Sequence, residues 1–157
     1  MPLQRFHDAQ AGQWAGYATA LAEMRAGRKS SHWIWYIFPQ IDGLGRSATA
    51  RAYALRDFAE ACEYLRDPVL RSRYDEIAQA VAEQLGRGAP IEELMGSETD
   101  AFKLVSSVTL FRAAALIQSK AGPDWKRLAQ CCGAILERTA AQGYPPCAYT
   151  LERCTES

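Results

Sequence analysis

The stretch Asp100-Ala101-Phe102-Lys103-Leu104-Val105-Ser106-Ser107-Val108-Thr109-Leu110-Phe111 decides the fold class. Its second half, from Ser106 to Phe111, is the best strand candidate in the chain. The flanks argue the other way. Phe102, Lys103 and Leu104 precede it and Ala113-Ala114-Ala115 follow it, so the whole piece reads as one apolar helix from Ala101 to about Gln118, capped by Thr99 or Asp100. No other stretch shows sustained period-two alternation between turn signals. The expectation is an all-α domain of seven or eight helices.

Working outward, the remaining helices are marked by their ends. Pro123-Asp124 opens a helix carrying Trp125, Leu128, Ile135 and Leu136, and Gly143 closes it. Upstream, Pro90 opens a short turn through Met95. Asp67-Pro68 is a cap followed by proline at the first helical position, and Leu70, Tyr74, Ile77, Val81 and Leu85 form the stripe behind it. Asp57 and Glu60 have capping-box spacing for a helix ending near Arg66. Phe6, Trp14, Tyr17, Leu21 and Met24 predict helix over residues 3 to 26, stopped by Gly27.

With 157 residues, the chain has the length of one domain, residues 1 to 157. Residues 144 to 157, which begin Tyr144-Pro145-Pro146, are expected to form a loosely docked tail. Apolar residues make up 48% and charged residues 23%, a globular and not a disordered composition. A chain this long buries roughly 68–70% of its unfolded surface, so it folds without a disulfide or a metal.

The 18 Lys+Arg and 18 Asp+Glu cancel, which argues against a bulk binder of phosphate backbones. The charge is uneven, however. Residues 25–73 hold nine Lys+Arg against five Asp+Glu, and residues 74–102 hold one against seven. Solvated faces of opposite sign and an anion site in the first segment both account for that split.

The longest strongly apolar run, Trp33 to Phe38, is far short of the ~20 residues that span a bilayer. The opening residues Met1 to Asp8 show no signal-peptide core, so a cytoplasmic location is expected. Cys62, Cys131, Cys132, Cys147 and Cys154 form no C-x-x-C pair and read as free thiols in a reducing compartment. With only His7 and His32 beside them, neither a metal site nor a cofactor is expected.

Residues 30 to 47 read least like scaffold. Trp33, Trp35, Tyr36 and Phe38 place four rings within six residues, more than one helical face can hold. Indole N–H and phenol O–H groups need partners when buried, so the run is either core or the wall of a pocket. His32, beside Ser30-Ser31, is either a structural residue or a general base. Gly43-Leu44-Gly45-Arg46-Ser47 precedes the next helix. Two glycines, a capping serine and an arginine there form a cup for a phosphate or carboxylate. It is neither a Rossmann fingerprint nor a P-loop.

Along the 100–111 helix, Lys103 shares a face with Ser106 and Ser107, and Thr109 lies near Ser106. Hydroxyls that bond back to the helix explain this pattern, and so does a polar stripe aimed at a ligand. A Ser–Lys nucleophile is disfavoured, because the order Lys-x-x-Ser reverses S-x-x-K and no second motif supports it.

Three strings carry a resemblance: Leu3-Gln4-Arg5-Phe6-x-Asp8-Ala9-Gln10; Gly27-Arg28-Lys29-x-Ser31-His32-Trp33-x-Trp35-x-Ile37-Phe38-Pro39-Gln40; and Gly43-Leu44-Gly45-x-Ser47. Together with Tyr64-Leu65-x-x-Pro68-x-Leu70 and Lys103-Leu104-x-Ser106-Ser107-x-Thr109-Leu110-Phe111, they resemble a bacterial family of domains of unknown function over roughly residues 3 to 140. The resemblance implies one compact, mainly α-helical domain. Some members carry the label calpastatin. That inhibitor is polar and largely disordered, so the label does not transfer to a chain with the composition of a packed globule. The family is also distantly similar to proteins proposed to process ADP-ribose and related NAD-derived intermediates.

The similarity implies an anionic, nucleotide-like ligand, bound and in one version hydrolysed at an N-glycosidic bond. Trp33 and Trp35 would then stack on it. Arg46, Lys103 and the Gly43 to Ser47 amides would neutralise phosphates. Gln40, Ser106, Ser107 and Thr109 would supply hydrogen bonds, and His32 or Asp42 would orient a water. The rival expectation is a non-enzymatic interaction module with the aromatics in its core. Nucleic-acid binding through residues 25–73 ranks lower.

Overall fold

The computed structural model describes residues 3–154. Ten α-helices and one short 3-10 turn follow in order, and no strand is present among the described residues. The helices are α1 (Gln4–Gln10), α2 (Tyr17–Ala26), α3 (Ile34–Ile37), α4 (Ala48–Tyr53) and α5 (Phe58–Arg66). Then come α6 (Pro68–Gly86), α7 (Ile91–Met95), α8 (Glu98–Ile117), α9 (Pro123–Ala141) and α10 (Ala148–Arg153). The count exceeds the expected seven or eight because α3, α4, α7 and α10 are pieces of one or two turns, too short to show a periodic stripe.

The ends follow the sequence signals where those signals are local. Asp57 caps α5 by accepting from the Glu60 amide. Asp67 caps α6 by accepting from Val69 and Leu70, and Pro68 occupies the first turn. Two expectations fail. Residues 3 to 26 are not one helix, since Gly12 to Gly16 form a turn that separates α1 from α2. A Cβ on Gly16 would lie 2.2 Å from the Gly12 carbonyl oxygen, so glycine is needed there. Trp14 rides on that turn at 88% exposure and joins no core stripe. The cap of α8 is Ser97, accepting from the Asp100 amide, and neither Thr99 nor Asp100. Gly96 at φ +87° turns the chain into Ser97, starting the helix earlier and leaving the Asp100 carboxylate for another role.

The hydrophobic helix α8 forms the centre, with α3, α5, α7, α9 and α10 packed around it. A second layer has α6 against α2, α5 and α9. The aromatic heart sits where these layers meet. Tyr74 and Phe111 lie 4.4 Å apart between ring centroids, Tyr64 and Phe111 5.0 Å, and Phe38 and Tyr74 5.5 Å. Burial pushes the Tyr74 phenol well above its ordinary value, so it stays neutral and hydrogen-bonds Ser107 at 3.0 Å.

Residues 144–153 lie closer to the body than a loose tail. Cys147 and Thr150 are buried, and the Cys147 amide donates to Thr109 Oγ1 at 3.2 Å. The rest of that stretch, from Thr155 on, lies outside the described residues.

Candidate functional site

The one-turn helix α3 ends at Phe38-Pro39, and the chain then runs beside α4's far end. Gln40 O accepts from the Leu55 amide at 2.9 Å, and the Asp42 amide donates to Leu55 O at 2.8 Å. This short parallel bridge between Ile41 and Leu55 holds the segment against α8. From there the Gln40 side-chain amide donates to Ser106 Oγ. The aromatic run and the hydroxyl-bearing helix are therefore neighbours. The Lys103 ammonium lies 5.1 Å from the Trp35 ring centroid, within cation–π range.

Gln40 and Lys103 line a cleft of about 510 Å³, whereas Ser106 is fully buried, bonds back to the Phe102 carbonyl at 3.2 Å and does not reach it. Gln40 and Leu44 form one wall, and Tyr144 contributes from the segment before α10. The first turns of α8 give Glu98, Thr99, Phe102 and Lys103. Glu98 with Phe102, and Thr99 with Lys103, are i, i+4 pairs, so one helix face presents all four. Lys103 has no ion pair among the described residues. Behind Gln40 lies a second cavity of about 10 Å³, bordered by Trp35, Ile41, Gly45 and Tyr53, room for about one water-sized group. Trp35 Nε1 is buried with no hydrogen-bond acceptor. A buried donor of this kind is costly, which marks Trp35 as a group suited to receive an acceptor.

The other expected site residues have different places. Trp33 is fully buried and donates from Nε1 to Glu23 Oε1 at 2.9 Å, so its ring is core and offers no stacking face. Ser107 is spent on Tyr74. Thr109 is buried, bonds back to Val105 O at 2.7 Å and holds the Cys147 amide. His32 is exposed and does not line the cleft, and its carbonyl accepts from Tyr36. Asp42 is exposed too, and its backbone does the work: its carbonyl accepts from the Tyr149 hydroxyl at 2.9 Å.

Arg46 is exposed and outside the cleft lining. Ser47 caps α4 by accepting from the Ala50 amide. The glycines serve packing. A Cβ on Gly43, at φ +105°, would fall 1.8 Å from the Tyr149 hydroxyl, and one on Gly45 would fall 2.4 Å from Ala50 Cβ.

Sequence reasoning missed Leu44, Glu98, Thr99, Phe102 and Tyr144. The α8 residues were readable as i, i±4 neighbours of one another. Tyr144 carries no local signal. Its hydroxyl donates to Glu92, and that bond raises the phenol to about 12. Among the described residues no group of three His, Cys, Asp or Glu side chains comes together to hold a metal ion. A larger cleft of about 900 Å³ runs along α8 and α9, but it contains none of the residues that stand out in the sequence. No helix is long and apolar enough to cross a membrane among the described residues.

The chain is similar to known proteins in two comparisons. A family described as protein of unknown function (DUF1810) matches residues 1–122. The crystal structure of the conserved hypothetical protein Rv1873 from Mycobacterium tuberculosis is 37% identical with a TM-score of 0.67. The likeness covers 90% of this chain and 96% of that one. No curated protein matches.

Proposed function

For this chain, which belongs to the family of proteins of unknown function DUF1810, we propose binding of a small anionic, nucleotide-like molecule of the ADP-ribose class in the cleft between Gln40 and Lys103. One observation carries this reading. Two segments 66 residues apart in sequence, each unusual for scaffold, meet at Gln40 and Ser106, and the cleft beside them holds a lysine without a carboxylate partner among the described residues. Lys103 meets the phosphate. Phe102, 47% exposed, and Tyr144 offer ring faces to the base. Glu98 accepts from sugar hydroxyls, and Gln40 supplies either polarity of hydrogen bond. A cytoplasmic location belongs to the same reading, with Cys131, Cys132, Cys147 and Cys154 outside any disulfide.

Hydrolysis of an N-glycosidic bond belongs to the same proposal in a changed form. His32 and Asp42 do not line the cleft, whereas Glu98 does. Glu98 is then the carboxylate that takes a proton from water as the water oxygen bonds to the anomeric carbon; the C–N bonding pair leaves with the nitrogen, which takes up a proton from solvent.

Titration calorimetry with ADP-ribose tests binding, and chromatography of the mixture tests hydrolysis. Removing a charge-assisted contact costs about 1.5–3 kcal/mol, so Lys103→Ala should weaken binding roughly 10- to 100-fold. No heat and no thermal shift at about millimolar ADP-ribose would remove the ligand assignment.

A further inference from the structure

The larger cleft, about 900 Å³, follows the seam between α8 and α9, the two helices joined by the Ser119–Ala121 turn. On α9 its floor runs from Lys126 through Gly133 and Ala134 to Ala140. Those fifteen residues, fourteen steps at about 1.5 Å each, span about 21 Å. The small side chains keep the valley open, and Leu116, 47% exposed, stands on the α8 side, with the equally bare Ile117 next to it in sequence.

The stretch that forms α8, the turn and α9 carries more cations than acids in a chain of zero net charge, and two of those cations line the valley. Residues 103–138 carry Lys103, Arg112, Lys120, Lys126, Arg127 and Arg138, against Asp124 and Glu137. Arg127 is engaged by Asp75 and Asp124. Arg112 and Lys126, which line the valley, have no ion pair and no side-chain hydrogen bond among the described residues. Glu137 is the one acid in the lining.

We propose that the α8–α9 valley is a docking surface for an acidic amphipathic helix of a partner protein. Three features select that occupant. Both walls are helices, whose backbone groups are already paired, so an extended strand finds nothing to pair with and a partner must satisfy its own backbone. The length accommodates about four helical turns, and the small-residue floor lets a third helix approach closely. Two unpaired cations on an apolar valley call for a partner whose leucine-type stripe is flanked by carboxylates. The surface is separate from the Gln40–Lys103 cleft and does not depend on what that cleft binds.

The test uses the full chain and a fluorescein-labelled synthetic peptide of about four helical turns, with leucines at i, i+3, i+4, i+7 spacing flanked by glutamates. A second peptide carries lysines in place of the glutamates. Fluorescence anisotropy should show binding of the acidic peptide only, weakening as salt rises. Ala134 is exposed on the valley floor, so Ala134→Trp fills the valley without entering the core and should weaken binding at least about tenfold with unchanged circular dichroism. The pair Arg112→Glu with Lys126→Glu should transfer preference to the lysine peptide. Equal binding of the two peptides, or no binding at about millimolar peptide, would overturn the proposal. So would unchanged binding by Ala134→Trp. Self-association abolished by Ala134→Trp would assign the valley to a second copy, and binding confined to anionic phosphatidylglycerol vesicles would assign it to lipid; either result also overturns it.

Discussion

Lys29 and Asp100 meet at 2.7 Å in the interior, where the lysine side chain is 6% exposed and the aspartate 18%. The pair joins the loop before the aromatic run to the first turn of α8, and the same ammonium lies 5.1 Å from the Trp33 ring centroid. The Lys29 amide also donates to Leu94 O at 2.8 Å, so the ion pair is seated on a fixed backbone.

Removing one partner of such a pair strands the other. Asp100→Ala leaves a buried ammonium without its carboxylate, and a loss of about 3–5 kcal/mol in unfolding free energy is expected. The double change Lys29→Met with Asp100→Leu should recover most of that loss, because burying two charges is itself expensive. Urea denaturation of the single and double variants decides the matter. A double variant no better than Asp100→Ala would show that the pair is worth more than its burial costs.

The carboxylate of Glu23 contributes to the acid limb of stability. Burial alone would raise it. The Ser31 hydroxyl, the Ser30 amide, the Trp33 indole and the Ser31 amide all donate to it and hold it near about 2, against an ordinary 4.5. A folded value below the unfolded one means the contribution is whole above about pH 4.5 and drains away as pH falls toward about 2. Solvent reaches part of this group, so the contribution is discounted to about 1–2 kcal/mol. Glu23→Gln should lose that amount at pH 7 and show a flatter decline between about pH 4.5 and about pH 2. Parallel acid slopes for the two proteins would contradict this.

Legibility followed the range of the interactions. Asp57 with Glu60, and Asp67 with Pro68, were readable because a cap and its helix are neighbours in sequence. The stripe from Leu70 to Leu85 was readable because every one of its residues is buried. The break at Gly12 to Gly16 was not, since the apolar spacing continues through it and only a close backbone approach, seen in three dimensions, demands glycine. At the site, Gln40 and Lys103 stood out in the sequence, and they line the cleft. Trp33 misled because its indole is satisfied by a carboxylate ten residues upstream, a pairing no local pattern announces. Tyr144 enters from beyond a helix of nineteen residues, α9, and its place depends on how that helix returns to α7.

Gly43 and Tyr149 should behave as a coupled pair. Gly43 has φ +105°, and a Cβ there would collide with the Tyr149 hydroxyl that donates to Asp42 O. Gly43→Ala therefore combines backbone strain with displacement of α10, and a cost of about 1–3 kcal/mol is expected. Tyr149→Ala removes the obstacle but leaves the strain. The double variant should be more stable than the sum of the two losses predicts, by about 1 kcal/mol. Strict additivity in a denaturant cycle would mean that α10 does not press on this loop.

Thr109 separates scaffold from site. Its hydroxyl donates to Val105 O and accepts from the Cys147 amide, both inside the protein. Thr109→Val keeps the shape and leaves the Cys147 N–H buried without an acceptor, which costs about 1–3 kcal/mol. The damage should be local first, because Cys147 is the residue just before α10 and anchors it on α8. Hydrogen exchange should therefore accelerate across residues 147–153 before the rest of the fold responds. Lys103→Ala should do the reverse, leaving exchange unchanged and stability within about 1 kcal/mol of wild type, since Lys103 has no ion pair among the described residues and loses only its cation–π contact with Trp35. Only the proposed ADP-ribose binding should fall. If Thr109→Val weakened binding with no change in exchange near α10, its hydroxyl would have to be returned to the ligand site.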